Sequence, residues 1–145
     1  MKSSFVILIL LSVTLSQHLN AQSLEDYQWK NRILLLFDAT PNSDALTSQL
    51  TELTHDKKAL KNRDLIIFRV TPDAVYAADG SPVRLTANEI FNKFNMDSNF
   101  SGVVLIGKDG GSKLKKTFEV PPRSIFDLID GMPMRRAEMR KKGKH

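Results

Sequence analysis

The run Ile33-Leu34-Leu35-Leu36-Phe37 constrains this chain more than any other stretch, because five consecutive apolar residues offer no polar face to water. A strand of that kind must be covered on both sides, which calls for helices on both faces of a sheet. Asp64-Leu65-Ile66-Ile67-Phe68-Arg69-Val70 is a second strand of the same buried kind. Between the two, Leu46, Leu50, Leu53 and Leu60 fall close to one face at helical spacing, Asp56, Lys57, Lys58 and Lys61 stay wet, and Asn42 or Ser43 is placed to cap the start. Strand, helix and strand in that order predict a right-handed parallel crossover.

Upstream, aromatic and polar residues alternate over Tyr27 to Arg32, as in a strand entering its sheet from a wet edge. Pro72 to Arg84 reads as a loop or small excursion. Thr86-Ala87-Asn88-Glu89 has the form of a capping box, Leu85 is placed to staple onto Ile90, and Ile90, Phe91 and Phe94 give the helix its apolar face. Gly102 to Ile106 then runs into Asp109-Gly110, a pair suited to the positive φ angles of a tight hairpin, and the return strand carries Leu114 and Phe118 among lysines, the pattern of a protected edge. A last helix starts near Pro121-Pro122, is expected to bury Ile125, Phe126, Leu128 and Ile129, and stops at Gly131 with Pro133 beyond it. The order β-α-β-α-β-β-α predicts an α/β protein with a thioredoxin-like, four-stranded mixed sheet and helices on both faces.

Residues 1–21 read as a cleaved signal peptide: Lys2 is basic, Phe5 to Leu11 is apolar but too short to span a bilayer, and the cut falls after Ala21. The expected location is therefore secreted or periplasmic, with no transmembrane segment after signal removal. The remaining chain fits one domain, read as 22–134, followed by a basic C-terminal tail over 135–145. An exported domain of this size usually carries disulfides, yet the sequence has no cysteine, so it relies on its core. The same absence excludes thiol redox chemistry, thiolate metal sites and cysteine nucleophiles. The net charge of +5 belongs to the tail, where six basic residues face only Glu138; the rest of the mature chain is about −1.

Four stretches carry a resemblance: Tyr27-x-Trp29-Lys30-Asn31-Arg32, Arg63-Asp64-Leu65, Leu105-Ile106-Gly107-Lys108-Asp109-Gly110-Gly111-x-Lys113, and Ile129-Asp130-x-Met132-Pro133-Met134-Arg135-Arg136-x-Glu138-Met139. Together they resemble the DUDES domain family of small secreted bacterial proteins and of animal matrix proteins such as Equarin and the sushi-repeat X-linked proteins. The resemblance covers about Leu24 to Arg140 and implies a thioredoxin-like, peroxiredoxin-related fold. The family has no established catalytic residues, so no mechanism is implied.

The loop Asp38 to Asp44 takes the place of the redox motif in such enzymes, and Thr40-x-x-Ser43 has the spacing at which a peroxiredoxin places threonine and its reactive cysteine. Serine cannot replace that cysteine, because its hydroxyl stays protonated and has no comparable oxidation cycle. Asp38, Thr40 and Ser43 are candidate binding residues, with a carboxylate or hydroxyl enzyme site at this loop as the alternative. After signal removal only His55 and His145 remain, too few for a histidine triad or metal centre. Lys108 and Asp109 lie in a glycine-rich hairpin without the spacing or following helix of a phosphate loop. Met132, Met134 and Met139 offer soft ligands for copper(I) as a further alternative. Asp130, Arg135, Arg136 and Glu138 complete the candidate set, and no cofactor is called for. The tail predicts affinity for an anionic polymer or an envelope surface; without interleaved aromatics, nucleic acid is disfavoured.

Overall fold

The computed structural model describes residues 22–143, so the signal peptide expected over 1–21 lies outside the described residues. Strand β1 (Arg32–Phe37) forms the centre of a five-stranded sheet, with β2 (Leu65–Val70) parallel on one side and β4 (Gly102–Ile106) antiparallel on the other. The outer strands are β3 (Val75–Ala77) and β5 (Ser112–Thr117), giving the order β3-β2-β1-β4-β5. Helices α1 (Asp44–Thr54), α2 (Lys57–Asn62), α3 (Ala87–Lys93), α4 (Pro122–Asp130) and α5 (Pro133–Lys142) complete the fold. None of the described helices is long and apolar enough to cross a membrane.

All six residues of β1 are buried, and the strand divides the core by its alternation. Ile33, Leu35 and Phe37 pack with Leu85, Ala87 and Ile90 on one face; Leu34 and Leu36 pack with Leu46, Leu50, Leu53, Ile125 and Ile129 on the other. The two-sided covering inferred from the apolar runs is therefore present.

Local details differ from the sequence expectations. The sheet has five strands rather than four, because Val75–Ala77 within the supposed loop pairs with β2. Tyr27 to Asn31 is not a strand entry: a 3-10 turn over Leu24–Tyr27 leads to Trp29 with φ of 67°, and the Lys30 and Asn31 amides bond back to the Tyr27 carbonyl. The helix after β1 breaks at His55-Asp56, where the Asp56 side chain caps α2. Thr86 makes no side-chain cap bond, although Leu85 and Ile90 share one cluster as a staple requires. Leu128 is exposed rather than buried.

The largest addition to the expected elements is at the C-terminal end of the described residues. Residues 133–142, most of which read in sequence as a basic tail from Arg135, form a helix that the element order β-α-β-α-β-β-α did not include, with Arg135 only 2% exposed. The helix from Pro122 stops at Asp130 with Gly131 as its cap, as expected, and Pro133 beyond it occupies the first position of the further helix α5, where a missing N–H is harmless.

Candidate functional site

Parallel pairing places the starts of β1 and β2 side by side, Arg32 opposite Leu65. Antiparallel pairing brings the end of β4 to the same pole, with Lys108 two residues beyond Ile106. Helix α5 crosses this pole and supplies Arg135 and Glu138, one turn apart.

The result is a connected network of charges. Arg32 donates from Nη1 to Glu138 Oε2 at 3.2 Å and to the Arg63 carbonyl at 2.9 Å, and from Nη2 to Glu138 Oε1 at 3.3 Å. Lys108 Nζ donates to Glu138 Oε1 at 2.6 Å and to Asp64 Oδ2 at 2.8 Å. Around Asp130, Arg63 donates from Nε and Nη2 at 3.1 and 2.7 Å, and Arg135 from Nε at 3.1 Å. Arg135 also reaches the Asn62 carbonyl, at 2.8 Å. Four cations thus meet three carboxylates, and Arg32 and Arg135 are almost fully buried.

Burial alone would raise the Glu138 pKa, but hydrogen bonds from Lys108 and Arg32 outweigh it and hold the carboxyl below its usual range. Asp130 is lowered in the same way, burial being outweighed by Arg63 and Arg135. Burial would depress Lys108, but Asp64 and Glu138 raise it instead. The signs define a window. Depressed carboxylates contribute stability above their unfolded values of about 3.9–4.3, lost as pH falls through the folded values; Lys108 contributes below about 10.4 and loses its share as pH climbs through its raised value. The melting temperature is expected to hold steady between those limits and to fall on both sides. Thermal unfolding of Asp130→Asn across the acid range should show a shallower acid limb than the parent; superimposable acid limbs would contradict the role given to Asp130.

Beside the network lies a cavity of about 470 Å³ lined by Trp29, Arg32, Lys108, Met132, Pro133 and Met134, among others. Trp29 is 62% exposed at its edge, and its backbone N–H is tied to the Lys108 carbonyl at 2.7 Å. A left-handed backbone is uncommon for a bulky residue, and both Trp29 and Asp64 (φ 50°) adopt one at this pole.

The expected site residues divide between two ends of the sheet. Asp38, Thr40 and Ser43 follow β1, about 20 Å from Arg32 at ~3.3 Å per residue. There Ser43 Oγ donates to Asp38 Oδ2 at 2.6 Å and accepts from the Leu46 N–H, so the pair shapes and caps a helix start, with Thr40 exposed beside it. His55 is exposed at the far end of α1. At the network pole the structure brings together Lys108, Asp130, Arg135 and Glu138. Asp109 instead closes the hairpin turn, accepting from Gly111 N–H and Lys113 Nζ, and Arg136 is exposed. Arg32, Arg63, Asp64 and Trp29 were missed as site residues. The signal for Arg32, Arg63 and Asp64 was charge at the start of each buried strand, which alone reads as an ordinary strand boundary, and Trp29 reads only as part of a strand entry.

The methionines do not assemble a copper site. Met134 and Met139 are five positions apart on α5 and so point about 140° away from each other, and both are exposed. Among the described residues no group of three or more His, Asp or Glu is placed to hold a metal ion.

The mixed sheet with helices on both faces has a thioredoxin-like fold, and the sequence contains no cysteine with which to do thiol chemistry. Among solved structures, the chain is similar in fold to thioredoxin peroxidase I of Plasmodium yoelii, at 17% identity over 79% of each chain with a TM-score of 0.55. It is equally similar to the reduced 2-Cys peroxiredoxin of Plasmodium vivax, at 17% identity over 79% of this chain and 84% of the other with a TM-score of 0.56. Residues 23–138 match the family described as Domain of unknown function (DUF4174), and the chain belongs to that family.

Proposed function

We propose that the protein is an exported, non-catalytic thioredoxin-like module that binds an acidic polymer or anionic envelope surface through α2 and α5. The observation that carries this reading is the distribution of unpaired charge. Lys57, Lys58 and Lys61 on α2, and Arg136, Arg140, Lys141 and Lys142 on α5, are all exposed, and none takes part in an ion pair among the described residues. Lys58, Lys61 and Lys142 line one open groove, and Lys142 Nζ donates to Asn62 Oδ1 at 3.2 Å, which joins the two helix ends.

The basic character read in the tail therefore extends over a folded, two-helix surface, the arrangement that attracts anions and keeps them at a defined place. Export is supported by the leader-like residues 1–21 and by the resemblance of Met132-Pro133-Met134-Arg135-Arg136 and the hairpin motif to the DUDES family of secreted and matrix proteins. A carboxylate or hydroxyl enzyme at Asp38 to Ser43 is less favoured, since Ser43 Oγ already caps α1 and holds Asp38.

The test is retention on a heparin column across a salt series. The triple variant Lys58→Gln/Lys61→Gln/Lys142→Gln is expected to elute at clearly lower salt than the parent, whereas Lys115→Gln/Lys116→Gln, exposed on β5, is expected to change retention little. Exposed charges are screened beyond about 8 Å at physiological ionic strength, so retention should fall steeply with salt. Equal losses in the two variants, or no loss in the triple variant, would reject the α2–α5 surface.

A further inference from the structure

We propose that the cavity beneath Trp29 is a binding site for a small amphipathic monocarboxylate, its carboxylate against Arg32 and Lys108 and its apolar body against Trp29, Met132, Pro133 and Met134. This site is separate from the α2–α5 surface and does not depend on it.

The first argument is an account of donors. A guanidinium has five N–H groups and an ammonium three. Arg32 engages two through Nη1 and one through Nη2, and Lys108 engages two. Arg32 Nε is buried with no hydrogen-bond partner, and among the described side chains it is the one buried nitrogen or oxygen left so. An unmet buried donor costs about 1–3 kcal/mol, more when it is charged, so an acceptor there is favoured. Both Glu138 oxygens are already taken, by Arg32 and Lys108.

The second argument is charge. Four cations against three carboxylates leave one positive charge in excess, and the nearby Lys113–Asp109 pair at 2.8 Å is neutral as a unit. One added negative charge balances the pole; a dianion overshoots it.

The third argument is the wall. Trp29, Met132, Pro133 and Met134 give a bare inorganic anion nothing to gain, but they suit an alkyl or aryl body, and methionine adapts to irregular shapes. A volume of about 470 Å³ lies within the roughly 300–1,000 Å³ of small-molecule sites. Trp29 stands 62% exposed in a left-handed conformation held by the Lys108 carbonyl, so the ring is kept at the rim rather than folded into the core. Closing over a ligand would bury it.

The sequence contains a single tryptophan, so intrinsic fluorescence reports on this cavity directly. Titrating the whole protein with octanoate is expected to give a saturable change in emission. Octanamide, with the same chain and no charge, and acetate, with the charge and no chain, should each bind at least tenfold more weakly. Met134→Asp places a like charge at an exposed rim position without touching the ion pairs, and should weaken octanoate at least tenfold while leaving the melting temperature and heparin retention near the parent's. Equal affinity for octanoate and octanamide, no saturable response from folded protein, or an unaffected Met134→Asp would each overturn the proposal. Because heparin retention is read on the same samples, a parent protein that is retained on heparin but gives no saturable octanoate response would reject this site and leave the α2–α5 reading standing.

Discussion

Replacing Glu138 with alanine is expected to lower the unfolding free energy by about 3–5 kcal/mol, because it leaves buried cations without their carboxylate. Arg32 is 1% exposed and Lys108 9%, and both donate to Glu138. Lys108 keeps Asp64, and Arg32 keeps only the Arg63 carbonyl. Chemical denaturation of Glu138→Ala beside Asp127→Ala makes the comparison direct. Asp127 pairs with Arg123 in an exposed i,i+4 bridge, where a loss below about 0.5 kcal/mol is expected. A Glu138→Ala loss under about 1 kcal/mol would mean that water reaches the network and that the cations are not confined. Replacing Arg32, Lys108 and Glu138 together by apolar residues of similar volume should be far milder than the single change, since desolvation and attraction then disappear together. Such a network is a poor way to gain stability, which is why a binding role for its surplus donors has weight.

The second large effect is expected at Gly102, the first residue of β4. A Cβ there would lie 2.2 Å from the Lys116 carbonyl oxygen and 2.8 Å from the Thr117 Cα, both backbone atoms of β5. Neither can rotate away, so Gly102→Ala must push the edge strand off the sheet. A loss of about 2–3 kcal/mol is expected, in the range for overpacking a close contact. Hydrogen exchange should show it as lost protection at the amides that β5 gives to β4. Gly107→Ala is the comparison: its nearest neighbour is the Lys113 side chain, with Cε at 2.6 Å, which can swing aside. If Gly102→Ala proved as mild as Gly107→Ala, the β4–β5 contact would be looser than described. Gly107 adjoins the charged pole, whereas Gly102 pairs with Phe37 at the opposite end of the sheet, so an effect of Gly102→Ala on Trp29 emission would show that the edge strand supports the cavity along its length.

Much of the fold was readable from short-range chemistry. Five apolar residues in a row forced a doubly covered strand, and β1 feeds both halves of the core. Ser43 at a helix start, Asp109-Gly110 at a turn and Leu85 before Ile90 each act through neighbours a few residues away, so their roles follow from spacing. Lysines on one strand predicted an edge, and β5 is that edge. The failures have one character. Val75–Ala77 is too short and too mixed to announce a strand, and exists because β2 offers a free edge. Gln49 looks like a surface residue of a helix, yet it is wholly buried and bonds both backbone groups of Val120, 71 residues away.

The candidate site divides along the same line. Sequence alone determined the absence of thiol chemistry, since no arrangement of a chain without cysteine can supply a thiolate, and it marked Lys108, Asp130, Arg135 and Glu138 as unusual. It also marked Asp38, Thr40 and Ser43, which stand at the other end of the sheet. Only tertiary structure decided that Arg32, Arg63 and Asp64 join the first group, because a charge beside an apolar run is equally consistent with water or with a partner. The parallel register of β1 and β2 puts two strand starts together, the hairpin returns Lys108 to them, and Pro133 starts α5 so that Glu138 lands between Arg32 and Lys108. Those partners are separated by 106 and 30 residues of chain. Coulomb attraction depends on distance in space, which periodicity along a sequence does not encode.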